Sequence, residues 1–283
     1  MDVTSLLCYN GGMSSLNEIV AVAKKAALRA REVQLKGLKE GTEIRSKGSL
    51  RDLVTAADIA CEQVIARTVT ESFPDHNLLG EEGGDQGRTS DWMWIVDPID
   101  GTTNYSRHIP YFTTSIGVYY KGKPVVGLVA NPLVEETFVA VEGQGAFLND
   151  APIRASSAIR FEQAVLAAGF HYDRDSNIDL TLNAIRTFFD RGIMDLRRFG
   201  SAALELCYVA AGRTEGYFEI GIHAWDFAAG AFIASQAGAV VTDAAGLPLT
   251  LKKSYVVAGA AGLHAAMLAE LAPWHIAQEN SPW

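Results

Sequence analysis

The run Trp94, Ile95, Val96, Asp97, Pro98, Ile99, Asp100, Gly101, Thr102, Thr103, Asn104 concentrates groups that can do chemistry. An apolar strand-like stretch ends in the carboxylate of Asp97, and Pro98 stops the strand and fixes a bend. Asp100 follows where the turned chain can aim it back at Asp97. Gly101 has no Cβ and lets the backbone approach a ligand closely. Thr102 and Thr103 offer hydroxyls and amide N–H groups at a helix start, a natural seat for phosphate. Two carboxylates, a free carbonyl at Ile99 and a nest of donors are what a hydrolytic Mg²⁺–phosphate site requires. The plain alternative is a strand ending in an acidic turn.

Three further acidic segments say less when taken singly. Glu81 and Glu82 follow Leu78, Leu79 and Gly80, and adjacent loop acids are commonly just solvated. Asp58 and Asp226 could each be a first-turn helix acid that favours the macrodipole. Together they gain weight, because every one of these segments ends a strand or opens a helix. Strand ends in an α/β setting are where sites gather.

The elements that must position these groups can be read from periodicity. Ser15 with Glu18 is a capping-box pair. Leu16, Ile19, Val20, Ala23, Ala26, Ala27, Ala30 and Val33 then follow helical spacing. A second helix is expected over 56–72, capped by Thr55 and ended before Pro74. Short strands should lead into Glu81 and into Asp97. Over 113–148 the signal becomes β, with segments at 116–120, 125–130 and 137–141 separated by turns. From Val165 onward strand-like pieces (165–168, 195–198, 216–219, 239–241) alternate with helices near 178–189, from Ser201 and from Trp225. The texture changes near 149–157, so the expected division is an α+β part, 1–150, holding most of the acids, and an α/β part, 151–283, holding Asp226. Residues 1–14 read as a loose tail.

Composition narrows the function. Against 24 Lys+Arg stand 33 Asp+Glu, a net charge of −9, which argues against broad nucleic-acid or anionic-membrane binding. An anionic substrate would then need a bound divalent cation to attract it. The three cysteines, Cys8, Cys61 and Cys207, are widely spaced and suggest neither a disulfide framework nor a thiolate zinc site. The start has no signal-peptide pattern, and the most apolar later stretch, 224–241, is interrupted by Asp226, Ser235 and Gln236. The expected location is the cytoplasm. The six histidines form no metal pattern and read as surface or packing residues, with only His171 near the expected pocket. Trp92, Trp94, Phe112, Tyr119 and Tyr120 read as core, and Arg197–Arg198 as a strand-end pair that is more often solvated than turned to a phosphate or a partner subunit.

Taken together, the acidic segments resemble the inositol monophosphatase family of Mg²⁺-dependent, lithium-sensitive phosphatases. Asp52, Leu53, Val54, Thr55, Ala56, Ala57 and Asp58 look like its D-x-V-T-x-x-D motif, and Gly80, Glu81, Glu82 like its G-E-E motif. The run from Trp94 to Thr103 is similar to its W-x-x-D-P-[IL]-D-G-T-T signature. Trp225, Asp226, Phe227, Ala228, Ala229 and Gly230 are similar to its W-D-x-A-A-G motif. The match runs from about residue 16 to 271.

The resemblance implies a layered α/β/α/β/α sandwich and two to three Mg²⁺ ions per subunit. One metal would be held by Glu81, Asp97 and the Ile99 carbonyl, a second by Asp97, Asp100 and Asp226, and a weaker third near Glu81. Glu81 and Thr102 would orient the attacking water, and the backbone of Gly101, Thr102 and Thr103 would hold phosphate oxygens. Asp58, Lys47 and Glu82 would stand behind the ligands. Glu219 matches a carboxylate that binds sugar hydroxyls, and Gly200, Ser201 and Ala202 match a loop that contacts the polyol ring. Gly169, Phe170, His171 and Tyr172 look more like bacterial or plastid members than animal ones. The implied reaction is phosphomonoester hydrolysis by activated water, with inositol monophosphate the first candidate substrate. Rivals are fructose 1,6-bisphosphate, histidinol phosphate, NADP or 3′-phosphoadenosine nucleotides, and, in another class, a regulatory role beside RNA polymerase. A homodimer is expected.

Overall fold

Ile19, Ala23, Ala26, Ala27, Ala30 and Gln34 recur at the helical period and form the buried stripe of α1 (Leu16–Glu40). This is the first element of a computed structural model that describes residues 16–46, 53–170 and 176–274. Ser15, the expected cap of α1, Lys47, Asp52, His171 and Tyr172 lie outside the described residues. A two-stranded antiparallel ribbon, β1 (Ile44–Ser46) and β2 (Leu53–Thr55), leads into α2 (Ala56–Ser72). Thr55 caps α2 in a reciprocal box with Asp58, and the helix ends just before Pro74 as expected.

The first sheet is built from β3 (Asn77–Gly80), β4 (Gly84–Asp85), β5 (Trp92–Asp100) and, after the short helix α3 (Thr102–Ser106), β6 (Thr113–Tyr120), β7 (Lys123–Asn131), β8 (Glu136–Val141), β9 (Gly145–Leu148) and β10 (Ala151–Ile153). Its order is β10-β9-β8-β7-β6-β5-β3-β4, antiparallel except for the β3–β5 pair. The β5–β6 register shifts between Asp97 and Asp100. Pro98 therefore does not stop the strand, contrary to the expectation from sequence: β5 runs on to Asp100, which pairs with Thr113, and the irregularity at Pro98 turns both carboxylates toward one place.

The second half holds β11 (Val165–Ala168), α4 (Ser176–Asp190), β12 (Asp195–Arg197), α5 (Ala202–Ala210), β13 (Gly216–Ile222), α6 (Ala224–Gln236), β14 (Ala239–Asp243), β15 (Ser254–Ala260) and α7 (His264–Glu270). The strands form a mixed sheet in the order β12-β11-β13-β15-β14. β15 is buried along its whole length.

Three apolar clusters define the layers. The stripe of α1 and α2 packs on one face of the first sheet, around Trp94, Ile116 and Leu128. α5 and α6 fill the space between the two sheets, and α4 and α7 cover the outer face of the second. The result is the expected α/β/α/β/α sandwich. α6 comes close to the first sheet because β6 and β7 carry Gly117 and Gly127 beneath it. A Cβ on Gly127 would lie 2.8 Å from the Ala229 carbonyl. That close seat brings the N-terminus of α6, with Asp226, to the end of β5. No helix among the described residues is long and apolar enough to cross a membrane.

Candidate metal and phosphate site

Asp97, Asp100 and Asp226 converge, one carboxylate oxygen from each lying within 4.8 Å of the others. Asp97 sits at the end of β5, where its Oδ1 accepts the Ile99 N–H at 3.0 Å and tightens the turn. Asp226 is the third residue of α6, and its Oδ2 accepts the His223 N–H at 2.6 Å. Asp100 reaches across to the second half of the chain. Its Oδ2 accepts from Ser201 Oγ at 2.6 Å and from the Ala203 N–H at 2.7 Å, at the start of α5.

Burial and mutual repulsion set the electrostatics. Desolvation raises Asp97 well above the usual carboxylate range, and the charges of Glu81, Asp100 and Asp226 push it further. Asp226 is raised for the same reasons, burial first and Glu81 and Asp100 after it. Asp100 is pushed up to about 7 by burial, opposed by its bonds from Ser201 and Ala203. Buried carboxylates this close need protons or a cation to neutralise them. An all-oxygen donor set with no cysteine or histidine suits a hard divalent ion such as Mg²⁺.

Around this cluster α2 supplies two carboxylates. Asp58 is fully buried and pushed up to about 6 by desolvation. Its Oδ2 accepts from both the N–H and the hydroxyl of Thr55, and Thr102 Oγ1 approaches its Oδ1 at 3.0 Å. Thr102 Oγ1 also lies 3.1 Å from the Ile99 carbonyl. Asp58 is therefore both a helix cap and the anchor of Thr102. One turn later, Glu62 accepts the backbone N–H groups of Glu82 and Gly83. Glu81 precedes them, beside β5, with its own N–H on the Val96 carbonyl at 3.2 Å. Gly101 takes φ +97°, where a Cβ would come within 3.0 Å of the Gly200 carbonyl. Thr103 is exposed on the first turn of α3.

A cleft opens beside Asp100 and Asp226, lined also by Arg198, Gly200, Ala202, Glu219 and His223. Burial raises Glu219, while the Tyr217 hydroxyl, bonded to its Oε2, and the Arg198 guanidinium hold it back. Its carboxylate lies over Gly169, where any Cβ would fall 1.8 Å from Oε2. Glu205, fully buried and raised to about 8 by desolvation, accepts from Phe199 N and Gly200 N and so fixes the Gly200 loop.

The acids anticipated in four separate segments are thus gathered at one place, and Glu219 stands across the cleft. Of the residues expected to meet substrate, Ser201 is buried with its hydroxyl on Asp100, and Ala202 lines the cleft while its N–H also points at Asp100. His223, expected to be a surface or packing residue, lines the cleft and stacks on Trp225 at 4.6 Å. It is the histidine at the pocket among the described residues, because it caps the helix that carries Asp226. Arg198 is exposed but leans over Gly200 into the cleft, whereas Arg197 pairs outward with Asp195. Glu62 and Glu205 were missed altogether. For Glu62 a signal existed: it lies four residues after Asp58, on the same helix face.

A model of the inositol monophosphatase family matches residues 15–277. The chain belongs to the inositol monophosphatase family. Its similarity to Nus factor SuhB of Escherichia coli K12 is 39% identity over 259 residues, 90% of this chain and 96% of that protein. The crystal structure of extragenic suppressor protein suhB from Bartonella henselae superposes with a TM-score of 0.85 at 34% identity, covering 89% of this chain and 98% of the other. The inositol monophosphatase of Anabaena gives a TM-score of 0.81 at 35% identity, covering 91% and 96%. Membership accounts for the order of the acidic segments and for the layered fold around them.

Proposed function

We propose that this chain is a Mg²⁺-dependent phosphomonoesterase whose first substrate is inositol monophosphate, an inositol-phosphate phosphatase. The observation that carries the reading is the triad of buried Asp97 and Asp100 with half-buried Asp226, opening into the cleft that holds Glu219. Glu81, Asp97 and the Ile99 carbonyl would hold one ion, and Asp97, Asp100 and Asp226 a second, and the family resemblance implies a weaker third near Glu81. When bound, Mg²⁺ supplies positive charge to the phosphate and Lewis acidity toward the attacking water.

The chain's own groups do the rest. The backbone of Gly101, Thr102 and Thr103 positions phosphate oxygens. Thr102, its hydroxyl tied to Asp58, would accept a hydrogen bond from the attacking water and orient it together with Glu81. Glu219 accepts hydroxyl groups of the polyol, and Gly200 and Ala202 pass along the ring. By the family resemblance, Lys47 and Glu82 would add charge behind the ligands. The working form is a homodimer in the cytoplasm. The name inositol monophosphatase on the Anabaena relative supports the substrate.

A phosphate-release screen tests this reading. Inositol 1-phosphate, glycerol phosphate, fructose 1,6-bisphosphate, histidinol phosphate, NADP and 3′-phosphoadenosine nucleotides are compared with Mg²⁺, with EDTA and with millimolar lithium. Inositol 1-phosphate should be hydrolysed best, only with Mg²⁺, and lithium should inhibit. Full turnover in excess EDTA overturns the metal role, and a better rival substrate corrects the specificity. Relatives named Nus factor favour a second reading, a regulatory role beside RNA polymerase. Co-elution with purified RNA polymerase by a variant without turnover would support it.

A further inference from the structure

Glu62 is a carboxylate only 7% exposed, on the buried face of α2 with Ala57, Asp58, Cys61, Ile65, Thr68 and Val69. Both of its oxygens are committed to one turn. Oε2 accepts the Glu82 N–H at 2.8 Å and Oε1 accepts the Gly83 N–H at 2.6 Å. The turn is shaped around this carboxylate. A Cβ at Gly80 would lie 2.4 Å from Glu62 Cδ, and one at Gly83 would lie 2.6 Å from Oε1. The glycines flanking Glu81 and Glu82 thus leave open the slot that the carboxylate fills.

We propose that Glu62 is a positioning residue for the metal site, holding the β3–β4 turn so that Glu81 is presented beside Asp97. The proposal rests on the phosphatase reading and extends it to a group that would touch neither metal nor substrate. The turn has only three residues, between Gly80 and Gly84, which pair across the hairpin. Two of its N–H groups, those of Glu82 and Gly83, take Glu62 as their acceptor, which fixes the direction of the turn. Two N–H groups aimed at one side chain call for a carboxylate, because an amide would set its own NH₂ against one of them. α2 then serves the site twice: Asp58 anchors Thr102, and Glu62, four residues on, anchors the turn after Glu81.

Two variants separate geometry from charge. Glu62→Gln keeps the shape and removes one acceptor together with the charge. Gly83→Ala keeps the charge and places a methyl group against Oε1, at an exposed position. Mn²⁺ affinity of the full chain is measured by titration calorimetry, and apo structure by circular dichroism and melting in EDTA. Both variants should bind Mn²⁺ about tenfold or more weakly, the usual cost of losing an outer support, with apo melting unchanged. The Mg²⁺ concentration for half-maximal turnover should rise by a similar factor while the rate at saturating Mg²⁺ changes much less. Affinity within about threefold of wild type in either variant, or a loss that comes with loss of apo structure, overturns the proposal. A wild-type chain that binds no Mn²⁺ and releases no phosphate overturns the phosphatase reading itself, a result distinct from failure of Glu62 alone.

Discussion

Asp100 carries two loads at residue scale. It belongs to the metal cluster, and it also receives Ser201 Oγ and Ala203 N at the start of α5. In Asp100→Asn the amide oxygen can keep both of those bonds while the charge is lost. Turnover should fall by about a hundredfold or more, as expected when a direct metal support is removed. Apo stability should hold or rise slightly, because a buried charge pushed up to about 7 has gone. Phosphate release and melting in EDTA check both halves, and turnover near wild type would show that Asp100 is not a ligand. Glu219 should separate substrate choice from chemistry. Glu219→Gln should weaken inositol phosphate hydrolysis more than glycerol phosphate hydrolysis, by about 1–2 kcal/mol, the size of a charge-assisted hydrogen bond. Gly169→Ala should do the same, since its Cβ would occupy the carboxylate's place. Comparing kcat/KM on the two substrates checks both variants, and equal losses would give Glu219 a structural role.

The seam between α2, β3 and β5 depends on a buried histidine. His76 is sandwiched between Phe73 and Trp92, and its Nδ1 accepts the Trp94 Nε1–H at 3.0 Å. Burial lowers its pKa from 6.5 to about 4. Above pH 6.5 neither state binds the proton and the group has no effect on stability. Between 6.5 and about 4 the unfolded chain takes up a proton that the folded chain refuses, so stability falls as pH falls. The loss at the bottom of the window is about 2–3 kcal/mol, at 1.36 kcal/mol per pKa unit. Asp58, raised to about 6, acts in the opposite sense over the same range. The contribution of His76 is therefore read as a difference. His76→Gln keeps an acceptor for Trp94 and should lose that part of the pH dependence, measured by denaturant midpoints at pH 7.5 and 5. An identical pH slope in the variant would remove His76 from the account.

At the scale of the whole molecule, the site is a junction. Asp97 and Asp100 end a strand of the first sheet, whereas Asp226 opens a helix that lies between the two sheets. A divalent ion held by all three would tie the halves together and bind only the folded chain. Mg²⁺ should therefore stabilise the fold by about 2.7 kcal/mol at a hundredfold excess over its dissociation constant, and the melting temperature should rise with its concentration. Asp226→Asn should abolish most of that gain while leaving the chain folded in EDTA. A full Mg²⁺-dependent shift in the variant would place the ion elsewhere.

Local chemistry was legible from sequence because short-range rules act within a few residues. Thr55 caps α2, the period of small apolar residues marks the face of α1, and Pro98 marks the irregularity in β5 although it does not end the strand. The acidic segments, read together, gave the family and with it the layers. Elements without local punctuation were not legible: β15 is a buried run flanked by loops, and nothing nearby announces it as a central strand. Other facts lie in packing alone. Ser201 faces Asp100 because α5 starts where β5 ends, and no spacing along the chain encodes that meeting. His223 reaches the cleft because α6 sits tightly on Gly117 and Gly127. Glu62 is bound to a turn twenty residues away. Sequence determined which groups could do chemistry, since that depends on residue type and local spacing. Tertiary structure decided which of them meet, which support the others and how far burial shifts their protons, since those depend on distances between segments remote in the chain.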